Sequence, residues 1–214
     1  MSFINYATKE IQLKIVYYGC GLCGKTTNLQ VIHDLIAGDA KGEMTSLATA
    51  QDRTLFFDFL PLYAEAVQGF TTRFQMYTVP GQVRYNMTRK LVLRGVDGVV
   101  FVADSQWDKA QENIESFQNL IENLELQGDS IDDMPYILQY NKRDLSGIMP
   151  ENYLEFMLNN RSVRHPSLTS IAPDGVGVLE GLNMIARLVL ARFVRTHGGS
   201  QKSAARKQED LVLV

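Results

Sequence analysis

A nine-residue loop, GCGLCGKTT, follows the apolar run IQLKIVYY and constrains the fold more than any other part of the chain. The loop spans Gly19 to Thr27 and fits the pattern glycine, four residues, glycine, lysine, then serine or threonine. In that pattern glycines let consecutive backbone N–H groups surround phosphate oxygens, and the helix that follows adds its positive N-terminal end. The chain should therefore contain a β-strand, this loop and an α-helix, in that order.

The same pattern predicts a nucleotide phosphate and Mg²⁺ as ligands. Lys25 should reach the outer phosphates, and the Thr26 hydroxyl should bind Mg²⁺. Cys20 and Cys23 form a C-x-x-C pair, but no second Cys/His pair for zinc accompanies them, so we interpret both as small residues packed in the loop. The loop residues that we assign to phosphate are Gly19, Gly21, Leu22, Cys23, Gly24, Lys25, Thr26 and Thr27.

Strand and helix patterns alternate along the rest of the chain. Amphipathic patterns predict helices over about residues 105–127 and 179–195. Apolar runs bounded by turn signals predict strands over about residues 11–19, 55–60, 73–79, 98–104 and 136–141. This alternation predicts an α/β fold, with a mostly parallel six-stranded sheet, one antiparallel edge strand, and helices on both faces. No helix pattern separates the second strand from the third, so these two should form a hairpin.

The length and composition fit one domain. With 214 residues, 45% of them hydrophobic, the chain can bury one sizeable core. We predict a domain over residues 1–196 and a disordered tail over 197–214, which begins at a Gly-Gly break. A net charge of −3 gives no global positive field, which argues against nucleic acid as a partner. Because we find no membrane span, signal sequence or lipidation motif, we expect a cytoplasmic protein without a direct membrane anchor.

A second motif, NKRD at Asn141 to Asp144, predicts guanine as the base of the nucleotide. Guanine offers an N1–H and a 2-amino donor to the Asp144 carboxylate, whereas adenine offers an acceptor and no 2-amino group, so adenine would leave the charge unpaired. The later loop SIAPDG brings the backbone N–H of Ala172 into position for the guanine carbonyl. We therefore assign Asn141, Lys142, Asp144 and Ala172 to guanine, and this assignment disfavours a P-loop kinase or ATPase.

The order of these motifs resembles that of the Ras-like small GTPases, and in detail that of the bacterial MglA polarity GTPases. The stretches that carry the resemblance are GLCGKTTNLQ, DRTLFFDFLP, YTVPGQ, RGVDGVVFVADS and QYNKRDL, within roughly residues 2–195. The resemblance implies a GTP-hydrolysing switch that controls polarity and motility by recruiting partner proteins, and that is enriched at a cell pole through them. It also implies an MglB-like roadblock-domain activating protein, and effectors that bind the switch regions.

The resemblance assigns the residues of hydrolysis. Gln82 matches the glutamine that orients water, and Gly81 before it joins the phosphate-binding residues. Thr54 matches the threonine that closes over Mg²⁺ and the γ-phosphate, so it belongs to both the metal and the phosphate sets. Arg53 precedes Thr54 and is expected to supply an arginine finger from the same chain. The alternative is a GTP-locked scaffold with negligible hydrolysis. Leu22 in the phosphate loop favours this alternative, and so does a departure from the pattern of the relatives in a second loop.

That departure is the stretch YTVPGQ, in which Thr78 stands where relatives carry an aspartate that holds a metal-bound water. The Thr78 hydroxyl is a neutral and weaker acceptor that can hold such a water. Asp52 and Asp58 are the other candidates, and we rank Thr78 first, Asp52 second and Asp58 third. Asp58 should serve only if its strand shifts, because four extended residues from Thr54 span about 13 Å.

Overall fold

A computed structural model of the chain describes residues 3–36, 38–47, 57–67, 69–82, 85–161 and 163–197. The strands in these ranges are β1 (Phe3–Asn5), β2 (Glu10–Tyr18), β3 (Thr45–Leu47), β4 (Phe57–Val67), β5 (Phe70–Thr78), β6 (Gly98–Asp104), β7 (Tyr136–Asn141) and β8 (Ser167–Thr169). The α-helices are α1 (Lys25–Leu35), α2 (Asn86–Leu93), α3 (Ala110–Glu125), α4 (Glu151–Leu158) and α5 (Val178–His197).

The strands form one sheet in the order β3-β4-β5-β2-β6-β7-β8, and β1 pairs with the start of β2. The pairs β2–β5, β2–β6, β6–β7 and β7–β8 are parallel, and β4–β5 is the antiparallel hairpin. The predicted α/β class is therefore confirmed. Two short antiparallel strands, β1 and β3, extend the described sheet beyond the six that the sequence predicts.

Alternate residues of β2 divide the core into two layers. Ile15 and Tyr17 point to the layer that α5 covers, whereas Val16 and Tyr18 point to the layer that α3 covers. The strands β6 and β7 are buried along their whole length, as expected for parallel strands that helices cover on both faces. Because β2, β6 and β7 run parallel, the loops that follow them meet at one edge of the sheet, where open α/β sheets bind ligands.

Gly98 begins β6 at a close contact with α5, and this contact gives a prediction about stability. A methyl group on its Cα would lie 2.3 Å from Cγ2 of Val189, so Gly98→Ala should lower the free energy of unfolding by about 1–3 kcal/mol through overpacking. The control is Gly181→Ala in α5, where the nearest contact of the new methyl is an ordinary 3.4 Å and stability should rise by about 0.5–1 kcal/mol. Urea unfolding followed by circular dichroism measures both values. A Gly98→Ala variant as stable as the wild type would contradict the packing described here.

Candidate functional site

The phosphate loop joins β2 to α1, and the side chain of Lys25 hydrogen-bonds to the backbone of this loop. Lys25 is buried, and its Nζ donates to the carbonyl oxygens of Cys20 at 2.6 Å and Gly19 at 3.3 Å. Gly24 caps α1 with a φ of 106°, a conformation that L side chains rarely adopt. A Cβ at Gly24 would also lie 2.2 Å from Nδ2 of Asn141, so the NKRD loop packs directly on this glycine.

Asn141 joins three loops at this edge of the sheet. Its Nδ2 donates to the carbonyl oxygen of Cys23 at 2.8 Å in the phosphate loop. Its Oδ1 accepts hydrogen bonds from the Ser170 hydroxyl and from the backbone N–H of Ala172, both at 3.0 Å, in the loop after β8. The residues that the sequence assigned to phosphate and to guanine are therefore neighbours. The Ala172 N–H positions Asn141 here, and its role toward guanine stays a prediction.

The other two residues of the guanine motif lie in the turn after β7. Lys142 has a φ of 66°, and its Nζ lies 2.6 Å from Oδ2 of Asp104 at the end of β6. Asp144 is exposed, with its carboxylate at the surface of the same turn. Sequence reasoning missed Asp104, although its place as the last residue of a predicted strand beside the NKRD strand is a usable signal. The ion pair to the fully buried Asp104 carboxylate fixes where Lys142 lies.

A buried carboxylate lies beside Thr26, the residue of the phosphate loop that the sequence predicts as a Mg²⁺ ligand. Oδ2 of Asp58 accepts hydrogen bonds from the hydroxyls of Thr26 at 2.6 Å and Thr78 at 2.9 Å. The backbone N–H of Asp58 in turn donates to Thr78 Oγ1 at 2.9 Å. The expectation that Asp58 reaches this place only through a strand shift is therefore wrong, because the β4–β5 pairing already sets Asp58 beside Thr78. Asp52, the other candidate carboxylate, lies outside the described residues.

The loop after β5 packs against the phosphate loop, and Arg89 of α2 holds it there. A Cβ on Gly81 would lie 2.5 Å from the Cα of Gly21, so the two backbones are in close contact. The fully buried Arg89 side chain donates to the carbonyl oxygens of Pro80 at 2.9 Å, Gly81 at 2.6 Å and Gly19 at 3.3 Å. It also donates to Oδ1 of Asn119 in α3 at 2.8 Å. Nothing in the sequence pattern pointed to Arg89.

Gln82 follows this contact and is exposed. It lines a cavity of about 440 Å³ together with Cys20, Gly21, Leu22 and Gly81. The predicted water-orienting residue thus lies beside the phosphate loop, as the hypothesis requires. Arg53 and Thr54, the predicted finger and the predicted metal ligand, lie outside the described residues.

Within the described ranges, none of the helices is long and apolar enough to cross a membrane.

Comparisons of the sequence with known proteins show its family. The family model described as the ADP-ribosylation factor family matches residues 2–189. The mutual gliding-motility protein MglA of Myxococcus xanthus (strain DK1622) is 55% identical over 193 residues, which cover 90% of this chain and 98% of that protein. ADP-ribosylation factor-like protein 4D of Homo sapiens is 24% identical over 193 residues, which cover 82% of this chain and 91% of that protein.

Proposed function

We propose that the chain is a GTP-hydrolysing switch for cell polarity and motility. The premise is that the chain belongs to the ADP-ribosylation factor family and is an MglA-type small GTPase. The observation that carries the proposal is the junction at Asn141, which joins the phosphate loop to both loops that we assign to guanine. A nucleoside triphosphate is long enough to touch all of these parts, whereas inorganic phosphate is not.

Residues of the phosphate loop, the NKRD turn and β4 fit a guanine nucleotide with Mg²⁺. Lys25 brings a cation into the loop, and Asp144 brings a carboxylate for the guanine donors. Thr26 and Thr54 would hold Mg²⁺, and the Asp58 carboxylate adds an oxygen donor of the kind that this hard cation prefers. When bound, Mg²⁺ neutralises charge on the phosphate oxygens during phosphoryl transfer.

For hydrolysis, the chain itself brings the two groups that phosphoryl transfer needs besides the metal. Gln82 orients the attacking water, and its place beside Gly21 and Leu22 supports this role. Arg53 supplies the cation that stabilises charge on the γ-phosphate. Arg89 positions rather than reacts, because its hydrogen bonds fix the backbone of Pro80 and Gly81, which precedes Gln82.

The role of Asp58 toward Mg²⁺ gives a prediction. Asp58→Asn keeps the shape of the side chain and removes its charge, so the Mg²⁺ concentration for half-maximal GTP hydrolysis should rise about 10- to 100-fold, as for other groups that orient metal ligands. Thr78→Val keeps the Asp58 carboxylate and should have a smaller effect. A Mg²⁺ titration of single-turnover hydrolysis measures the change. If Asp58→Asn needs no more Mg²⁺ than the wild type, then the carboxylate serves packing alone.

Partner binding is the second half of the proposal. The switch segments are residues 52–59 and 80–94, and in the second of these Met87 and Leu91 are exposed four residues apart on α2. These apolar side chains support docking of an effector and of an MglB-like roadblock-domain activating protein. We further propose that residues 1–196 form the Ras-like domain, that the protein is cytoplasmic, and that its partners concentrate it at a cell pole. The predicted tail begins at His197, which is the last residue of α5, and residues 198–214 lie outside the described residues.

Single-turnover hydrolysis of labelled GTP, alone and with the roadblock-domain partner, tests the proposal. We expect slow hydrolysis alone and acceleration by orders of magnitude with the partner. Displacement of labelled GTP by GTP or GDP, but not by equal ATP, tests the choice of base. Tight GTP binding with negligible turnover in both conditions would instead support the GTP-locked scaffold, and tight ATP binding would overturn the guanine assignment.

A further inference from the structure

Both cysteines of the chain lie inside the phosphate loop, and both are free thiols. Cys23 is fully buried, and its Sγ accepts a hydrogen bond from Lys25 Nζ at 3.5 Å. Cys20 is 2% exposed, and its Sγ donates to Oδ1 of Asn113 at 3.3 Å. Cys20 is also one of the residues that line the cavity between the phosphate loop and Gln82.

The two thiols are close enough for each to change the ionisation of the other. Complete burial opposes ionisation of Cys23, but the neighbouring Cys20 thiol and the Lys25 ammonium outweigh burial and lower the pKa of Cys23 to about 6. The interaction with Cys23, followed by burial, raises the pKa of Cys20. The lowered pKa of Cys23 favours a thiolate beside the Cys20 thiol, which is the combination that thiol oxidation uses.

Backbone geometry permits a bond between the two sulfurs. Gly21 and Leu22 form a turn between the cysteines, and residues three apart in a turn have Cα atoms within about 7 Å. A disulfide requires Cα atoms about 4.4–6.8 Å apart. Leu22 already has a left-handed φ of 61°, so the loop is tightly curved at this place.

We propose that Cys20 and Cys23 form a reversible disulfide within the phosphate loop, and that this bond weakens binding of the nucleotide phosphates. The inference rests on the proposed function of the loop. The new bond would move the Cys23 sulfur away from Lys25. It would also fix Gly21 and Leu22, whose backbone N–H groups belong to the predicted phosphate cradle.

The oxidant that we name is hydrogen peroxide, a small two-electron oxidant of thiols. The Cys23 thiolate takes the proton of Cys20, and the Cys20 sulfur so deprotonated attacks one peroxide oxygen. The O–O bond breaks, and the hydroxide that leaves takes from solvent the proton that Cys23 had lost on ionising, which gives the first water. The Cys23 sulfur then attacks the sulfenic acid on Cys20, its proton goes to the departing hydroxide, and the S–S bond forms. Overall, two thiols and one peroxide give one disulfide and two waters, with each sulfur losing one electron. A dithiol such as dithiothreitol reverses the reaction by thiol–disulfide exchange.

The test compares the reduced and the peroxide-treated chain. Mass spectrometry after alkylation of the denatured chain should find two alkylated thiols in the reduced chain and none in the oxidised chain. Before alkylation, the oxidised chain should be lighter by two hydrogens. The affinity for a fluorescent GDP analogue should fall about tenfold or more on oxidation, the cost of one lost charge-assisted phosphate contact, and dithiothreitol should restore it.

Cys20→Ala is the matched variant, because the loop contact of this residue with Lys25 is made by its backbone carbonyl. Its affinity should equal that of the reduced wild type and should not change with peroxide. Equal peroxide sensitivity in Cys20→Ala, absence of the disulfide, or a disulfide without loss of affinity would overturn the inference. A reduced wild type that binds no guanine nucleotide would instead overturn the proposed function.

Discussion

Asp144→Asn should convert a chain that prefers GTP into one that prefers XTP. Xanthine keeps the N1–H of guanine but carries a carbonyl oxygen in place of the 2-amino group. The asparagine amide accepts from N1–H and donates to that oxygen, whereas toward guanine its amino group meets another donor. A site built to hydrogen-bond one group of a ligand can reject an analogue that lacks this group by a factor of up to roughly 10⁴–10⁵. Because Asp144 is exposed, we expect a smaller loss of GTP affinity, about 10²- to 10⁴-fold.

Competition of GTP and XTP against a labelled nucleotide measures this exchange of preference. Asp34→Asn, which removes an exposed carboxylate from α1, is the control and should leave the preference unchanged. If Asp144→Asn binds GTP as tightly as the wild type does, then the NKRD turn does not read the base. If it binds neither nucleotide, a melting curve distinguishes a lost fold from a lost site.

The sequence could predict that the glycine loop and the NKRD turn lie at the same edge of the sheet, because each of them is a local pattern. The loop from Gly19 to Thr27 and the NKRD turn each follow a strong apolar strand, so the parallel pairing of those strands through β6 brings them together without further information. The junction at Asn141 then needs only this side chain of the NKRD motif and backbone groups of Cys23 and Ala172 in the other two loops.

The position of Asp58 could not be predicted in the same way. Distance along the chain from Thr54 was a poor guide, because what places Asp58 beside Thr26 is its pairing across the hairpin with β5. That register depends on the whole of β4 and β5, which have 11 and 9 residues. Both strands are longer than the apolar runs from which they were predicted. The strands β1 and β3 have three residues each, too few for any periodicity to be read.

Arg89 shows a second limit of sequence reasoning. In the described part of the chain its hydrogen-bond partners are neutral oxygens, four of them from Pro80, Gly81, Gly19 and Asn119. A charged group at full burial is costly unless hydrogen bonds satisfy it, and backbone carbonyls carry no sequence signal. From the sequence alone Arg89 therefore received no role, whereas folding makes it the link between α2, α3 and the two loops of the site.

Arg53→Ala should slow partner-stimulated GTP hydrolysis about 10³- to 10⁵-fold, the usual contribution of an arginine finger. Arg53 is five residues before Asp58, whose carboxylate contacts Thr26 of the phosphate loop. Five residues of extended chain span at most about 17 Å, so the backbone of Arg53 stays within that distance of the site. The long side chain of Arg53 can span part of the remaining distance between its backbone and the phosphates. Single-turnover hydrolysis at saturating partner measures the rate.

The outcome decides whether YTVPGQ marks a working site or a silent one. Arg53→Lys keeps the charge without the planar fork and should recover a small part of the rate. Arg73→Ala, which removes a β5 arginine that packs over Tyr63, is the control and should hydrolyse GTP at the wild-type rate. Nucleotide affinity should change little in Arg53→Ala, because the finger acts on charge that develops during the reaction. A rate equal to wild type would mean that the partner supplies the cation, or that Asp58 and Gln82 suffice without one.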